Sequence, residues 1–221
     1  MRGVFVTGTD TGVGKSVVAG AVCAALARRG EAVAAFKPVV TGLEEETGAW
    51  PPDHELLAAT TGQPPEEVAP YRFGPAVSPH YAAELAGEQV EPGDLLDAAR
   101  LAGERADALV CEGVGGLLVP LTPGYLVRDL ALDLRLPVVI AARTGLGTIN
   151  HTLLTVEAAK RAGLSVRAVV MTPWSHEPEP IEASNRATVE RLGQVPVSGL
   201  PSTDPESLAA AGAELTLDDW L

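Results

Sequence analysis

The segment that most constrains this chain is Gly8-Thr9-Asp10-Thr11-Gly12-Val13-Gly14-Lys15-Ser16. It follows the apolar run Val4–Thr7 and opens Ser16–Arg29, whose apolar residues recur at helical spacing up to a stop at Gly30. Strand, glycine-rich turn and helix in that order make a phosphate-binding loop. Glycines let the main chain wrap an anion, and the amides of Gly12 to Ser16 point inward at a helix start. Lys15 is placed to reach the β- and γ-phosphates, and the Ser16 hydroxyl to ligate Mg²⁺. Five residues, where the usual motif has four, separate Gly8 from Gly14. The competing reading is a glycine-rich turn that only caps a helix, and the coincidence of strand, Gly-Lys-Ser and helix favours phosphate.

The rest of the chain repeats the same alternation. Strands are expected at Ala32–Phe36, Ala108–Cys111, Val138–Ala142, Val166–Met171 and Val195–Leu200. Helices are expected at Asp53–Thr60, Pro92–Gly103, Leu126–Leu134, Ile149–Ala162 and Ile181–Leu192. Strands this continuously apolar must be covered on both faces. The pattern predicts a single α/β domain over 1–221, a doubly wound, mostly parallel sheet of P-loop type. Ligands of such sheets bind beyond the carboxyl ends of the strands. Thr41–Pro52 and Gly62–Pro79 read as loops around that region.

Composition narrows the function. Hydrophobic residues are 46% and charged residues 20% of the 221, without an apolar stretch long enough to span a bilayer. The start, Met1-Arg2-Gly3-Val4-Phe5-Val6, reads as a first strand and not as a targeting segment. Cys23 and Cys111 both sit in apolar segments, as reduced buried thiols do, and together these features point to the cytoplasm. A net charge of -13 leaves no basic face for nucleic acid. Only three of the 16 basic residues are lysines: Lys15, Lys37 and Lys160. Lys15 and Lys37 therefore stand where a compact, rotatable ammonium is needed.

Further candidates fall at strand ends. Glu112-Gly113-Val114-Gly115-Gly116 follows Ala108–Cys111, where a metal-binding carboxylate sits beside a phosphate loop. Asp53 reads either as a helix N-cap or as a second metal carboxylate. Lys37, ending the second strand, suits a γ-phosphate or an anionic substrate. Gly145-Leu146-Gly147-Thr148-Ile149-Asn150 enters a helix whose first amides, with Thr148 and Asn150, suit a carboxylate; an ordinary Thr N-cap is the alternative.

FVTGTDTGVGKS at 5–16, FKPVVTG at 36–42, VCEGVGGLLVPL at 110–121, LGTINHTLLT at 146–155 and VPVSGLP at 195–201 together resemble the dethiobiotin synthetase family. The resemblance runs over nearly the whole chain in order. It implies an ATP-dependent cyclo-ligase that joins CO₂ to 7,8-diaminononanoate and releases ADP and phosphate. It implies that Lys15, Lys37 and Thr11 act on the reacting groups, and that Ser16, Asp53 and Glu112 hold Mg²⁺. Gly12, Val13, Gly14, Lys15, Ser16 and Val17, with Glu112, Gly113, Val114 and Gly115, would wrap the triphosphate. Thr172-Pro173 and Leu200-Pro201-Ser202 match the adenine-binding segments, with Thr172 in place of an asparagine. Thr41 and Lys37 would hold the diamine or its carbamate. Leu146, Gly147, Thr148 and Asn150 would bind the substrate carboxylate across a homodimer interface. A partitioning-type P-loop ATPase switch is the competing class. It usually carries a lysine early in the loop, where this chain has Thr9, Asp10 and Thr11. It often ends in a membrane-seeking amphipathic tail, and the acidic Glu214–Leu221 suits neither that role nor membrane binding.

Overall fold

The computed structural model describes residues 1–46, 48 and 50–221. Thr47 and Ala49, within the stretch expected to be loop, lie outside the described residues.

The first strand, β1 (Gly3–Gly8), leads through the glycine-rich turn into α1 (Lys15–Arg28). Next come β2 (Val33–Phe36), β3 (Val39–Val40), α2 (Asp53–Thr61), α3 (Pro65–Val68) and β4 (Tyr71–Arg72). Two helices, α4 (Pro79–Ala86) and α5 (Pro92–Glu104), precede β5 (Ala108–Gly116) and the hairpin β6 (Pro120–Thr122) with β7 (Tyr125–Leu126). The chain ends through α6 (Val127–Leu134), β8 (Val138–Ala142), α7 (Thr148–Arg161), β9 (Val166–Trp174), α8 (Pro180–Gly193), β10 (Val197–Pro201) and α9 (Leu208–Gly212).

Six strands form one parallel sheet in the order β10-β9-β8-β1-β5-β2. Successive side chains of a strand point to opposite faces, and here both faces are apolar. Phe5, Leu109, Cys111, Val138, Ile140, Val169 and Met171 join one core cluster with residues of α5, α6, α7 and α8. Val4, Val6, Val110, Val139, Ala141 and Val170 join the other with residues of α1, α2 and α9. The doubly wound sheet is therefore built as its continuously apolar strands predict.

Helix α1 is buried along most of its length because three layers meet on it: the sheet, α2 and α9. The approach of α9 is close enough that a Cβ at Gly212 would lie 2.1 Å from the Ala21 carbonyl oxygen. The last turn, Leu217–Asp219, seats Leu217 and Trp220 in the α1 cluster. The acidic tail is thus packed down and bonded, with Arg29 Nη1 2.8 Å from Asp218 Oδ1.

Two expectations need correction. The central strand does not stop at Cys111. Val6 pairs with Glu112 and, past an irregularity, Gly8 with Gly116, so β1 carries its partner on through the glycines. Gly62–Pro79 is not simply loop: it holds α3, β4 and the start of α4, and β4 pairs in parallel with β3. Elements of two to four residues have too little periodicity to be read from sequence.

Candidate active site

The sheet order puts β1 between β8 and β5, with β2 beyond β5. The loops after these strands therefore converge at one edge, around the glycine-rich turn. Gly14 ends that turn at φ +89°, a left-handed backbone that L side chains rarely adopt, and α1 begins at the next residue. A Cβ at Gly14 would also lie 2.5 Å from Thr172 Cγ2, so Thr172 of β9 packs directly on the turn. Lys15 is buried and folds its ammonium back on the turn, donating to the Asp10 carbonyl at 2.8 Å. Burial holds its pKa below the ordinary value; Glu112 pulls it back up and nearby Lys37 lowers it further.

Beneath the turn lies a buried ionic cluster. Lys37 is 3% exposed and Glu112 is 0% exposed. Lys37 Nζ donates to Asp53 Oδ2 at 2.5 Å and to Glu112 Oε1 at 2.6 Å. The Ser16 hydroxyl donates to the same Glu112 oxygen at 2.8 Å. Burial pulls the Lys37 pKa down, but the charges and hydrogen bonds of Asp53 and Glu112 outweigh it and raise its pKa. Burial also dominates Glu112, whose pKa is raised despite Lys37. At Asp53 burial is overcome by Lys37, Ser16 and Lys15, and its pKa falls to about 2.

This geometry rules out the helix N-cap reading of Asp53. The cap position of α2 is Pro52, without a side-chain cap bond, and Asp53 is the first helical residue with its carboxylate on Lys37. Mg²⁺ prefers hard oxygen donors, and Ser16 Oγ, Asp53 and Glu112 offer them. Among the described residues Glu112 Oε2 is buried without any hydrogen-bond partner. A buried oxygen left bare of donors is what a cation would satisfy, so these residues fit the metal the sequence implies.

A cavity of about 620 Å³ opens over the cluster. Of the expected residues, Thr11, Gly12, Gly14, Lys15, Ser16, Val17, Lys37, Thr41, Asp53, Val114 and Gly115 line it. Its other wall is apolar and was not singled out from the sequence: Val39, Trp50, Val77, Pro79 and Val119. Glu112 lies beneath it through Lys37 and Ser16. Val13 is in the core, and a Cβ at Gly113 would meet Val127 at 2.8 Å and Phe5 at 3.2 Å.

Several expected residues lie away from the cavity. Leu200 is a core side chain, which leaves only its main chain for a nucleotide, whereas Pro201 is half-buried and Ser202 exposed at the end of β10. Pro173 follows Thr172 on β9 and is exposed. Leu146 is 94% exposed, and Gly147, not a threonine, occupies the cap position of α7. The Thr148 hydroxyl turns inward and donates to the Arg143 carbonyl at 2.6 Å. It is therefore satisfied within its own loop and is not free for a carboxylate; Asn150 is exposed on α7. Arg143, just past β8, was not singled out, although it ends a core strand beside the phosphate loop.

A parallel sheet whose first loop presents a lysine and a serine to a carboxylate-lined cavity defines the P-loop class of nucleotide-dependent proteins. Comparison with known proteins agrees: a family model described as an AAA domain matches residues 2–205. An ATP-dependent dethiobiotin synthetase of Anaeromyxobacter dehalogenans strain 2CP-1 is 45% identical over 194 residues, covering 87% of this chain and 86% of its own. One from Bacillus licheniformis is 39% identical over 203 residues, covering 90% and 85%. The chain therefore belongs to the dethiobiotin synthetase family. Solved structures share the fold at low identity. A ParA family ATPase from Chlorobium tepidum matches with a TM-score of 0.55 at 14% identity, covering 98% of this chain and 93% of its own. The cell division ATPase MinD of Pyrococcus furiosus matches at 0.53 and 14%, covering 97% and 98%.

Proposed function

We propose that this protein closes the ureido ring of dethiobiotin. One amine of 7,8-diaminononanoate takes up CO₂ and loses a proton to give a carbamate. A carbamate oxygen attacks the γ-phosphorus of ATP and displaces ADP, forming a carbamic–phosphoric anhydride. The second amine attacks the carbamate carbon, phosphate leaves, a proton is lost and the ring closes. The observation that carries this reading is Lys37, buried at 3% exposure between two carboxylates beside the phosphate loop.

That placement suits the chemistry. Negative charge gathers as the γ-phosphoryl group moves to the carbamate, and fixed cations in a water-poor site stabilise it most. Lys37 supplies one such cation, and Lys15 a second from the loop. Thr11 and Thr41 line the same cavity and offer hydroxyls to the carbamate or diamine. The apolar wall from Val39 to Val119 suits the methylene chain of the substrate. Mg²⁺, held by Ser16, Asp53 and Glu112, would neutralise phosphate charge when bound. Thr172-Pro173 and Pro201-Ser202 would border the adenine. The protein would act in the cytoplasm as a homodimer, and the bare Leu146 suits burial under a second copy. Among the described residues no helix is long and apolar enough to cross a membrane.

The test is incubation with the diamine, bicarbonate, Mg²⁺ and ATP, followed by mass spectrometry for the cyclised product. Wild type yields product. Lys37→Ala loses on the order of a hundredfold in rate, about 2.7 kcal/mol of transition-state stabilisation. A near-normal rate in that variant removes Lys37 from the reaction, and no product from wild type removes the function.

A further inference from the structure

We infer that Arg143 is an oxyanion-binding residue of this site, taking a phosphate or carboxylate oxygen of the bound reactants beside the outer turn of the phosphate loop. The inference deepens the reaction proposed above and rests on it for the identity of the reactants.

The sheet order places this side chain. Arg143 follows Ala142, the last residue of β8, and β8 flanks β1 on the side away from β5 and β2. Glu112 and Lys37 therefore approach the loop from one side and Arg143 from the other. Its Nη2 lies 3.4 Å from the Thr11 carbonyl oxygen. A Cβ at Gly12 would stand 3.9 Å from the same nitrogen. The guanidinium thus sits over the Thr11–Gly12 peptide, and both residues line the cavity.

The backbone beneath Arg143 is held by buried side chains. Thr148 donates to the Arg143 carbonyl at 2.6 Å. Asn185 of α8 donates to the Thr144 carbonyl at 2.8 Å and to the Gly145 carbonyl at 3.1 Å. Two buried polar side chains from different helices are spent on fixing three residues of one loop. The backbone that carries the exposed arginine is thereby held, which leaves less main-chain entropy to lose on binding.

The charge of Arg143 is not consumed. Among the described residues it makes no ion pair, in a chain with 29 acidic residues. A guanidinium carries five N–H donors, and the long bond to Thr11 uses one. The remaining planar fork matches the paired oxygens of a carboxylate or phosphate. Both anions belong to the proposed reaction: the γ-phosphate of ATP, and the carboxylate of the diamine.

The test compares wild type with Arg143→Ala and Arg143→Lys by calorimetry, against Mg·ADP, the non-hydrolysable β,γ-imido analogue of Mg·ATP, and the diamine. Melting temperature is followed in parallel. Arg143→Ala is expected to weaken one ligand at least tenfold with the fold intact, and Arg143→Lys to recover only part of the loss. Weakening of the imido analogue but not of ADP assigns the γ-phosphate; weakening of the diamine assigns its carboxylate. Affinities within twofold of wild type for all three ligands overturn the inference. So does equal weakening of all three with a lowered melting temperature, which marks a scaffold role. If wild type gives no cyclised product, the function fails, yet the nucleotide titrations still decide the role of Arg143.

Discussion

Lys37 is charged because two carboxylates outweigh its burial, and the same contacts tie the site to stability. Removing one partner from a buried pair leaves the other unpaired, at about 3–5 kcal/mol, so Lys37→Ala should lower the melting temperature as well as the rate. The two acids depend on pH with opposite sign. Asp53 has a folded pKa of about 2, below its ordinary 3.8, so its contribution is present above the ordinary value and lost as pH falls through the folded one. Glu112 is raised, so its contribution is present at low pH and lost as pH rises. Asp53→Asn should therefore melt below wild type by a constant margin above about pH 5, and that margin should shrink towards about pH 2. Melting curves across that range check it; a margin independent of pH removes the Asp53 carboxylate as its source. Among the described residues, Glu112 Oε2 is a buried carboxylate oxygen without a hydrogen-bond partner, a costly arrangement of the kind that marks functional sites.

At the scale of elements, α1 carries the burden. It begins in the phosphate loop and lies between the sheet, α2 and α9. Helix α9 is only five residues long, too short to hold by itself, and depends on close packing at Gly212. Gly212→Ala would drive a methyl against the Ala21 carbonyl, where 2.1 Å separates the two. Helices pushed apart leave poorly filled space, at about 1–3 kcal/mol, or a fall of roughly 3–10 °C in a chain of this size. Calorimetric melting tests this, and an unchanged melting point would mean that α9 adjusts without strain. Loops reach the site because they leave parallel strands at one edge. The β5 strand goes further and carries Glu112 within its paired length.

For the molecule as a whole, the sheet is a partition. Cys111 belongs to the cluster on one face and Cys23 to that on the other, both fully buried. Burial pushes the Cys23 thiol up to about 12, and burial together with Glu112 holds Cys111 well above the ordinary value. Neither thiol should react with iodoacetamide in the native state, and labelling should track unfolding under denaturant. Stoichiometric labelling under native conditions would show that one face opens readily. The fold is also shared with a ParA family ATPase and MinD at 14% identity. Architecture therefore does not separate a ligase from a switch; that separation comes from the relatives at 39–45% identity and from the residues in the cavity.

The sequence by itself determined the architecture and the identity of the charged groups. Continuous apolar runs allow only a sheet covered on both faces, and a Gly-Lys-Ser turn between strand and helix allows few uses. Those signals are local, carried by neighbours along the chain. What the tertiary structure decided is relational. Asp53 and Glu112 lie 16 and 75 residues from Lys37 along the chain, and only the pairing of β2 with β5 and the packing of α2 on β2 bring the three together. The same holds for the cap reading of Asp53, the inward turn of Thr148 and the placing of Arg143 over Thr11. Hydrogen-bond partners distant in sequence leave no periodic trace, because side-chain direction is set by packing across the sheet.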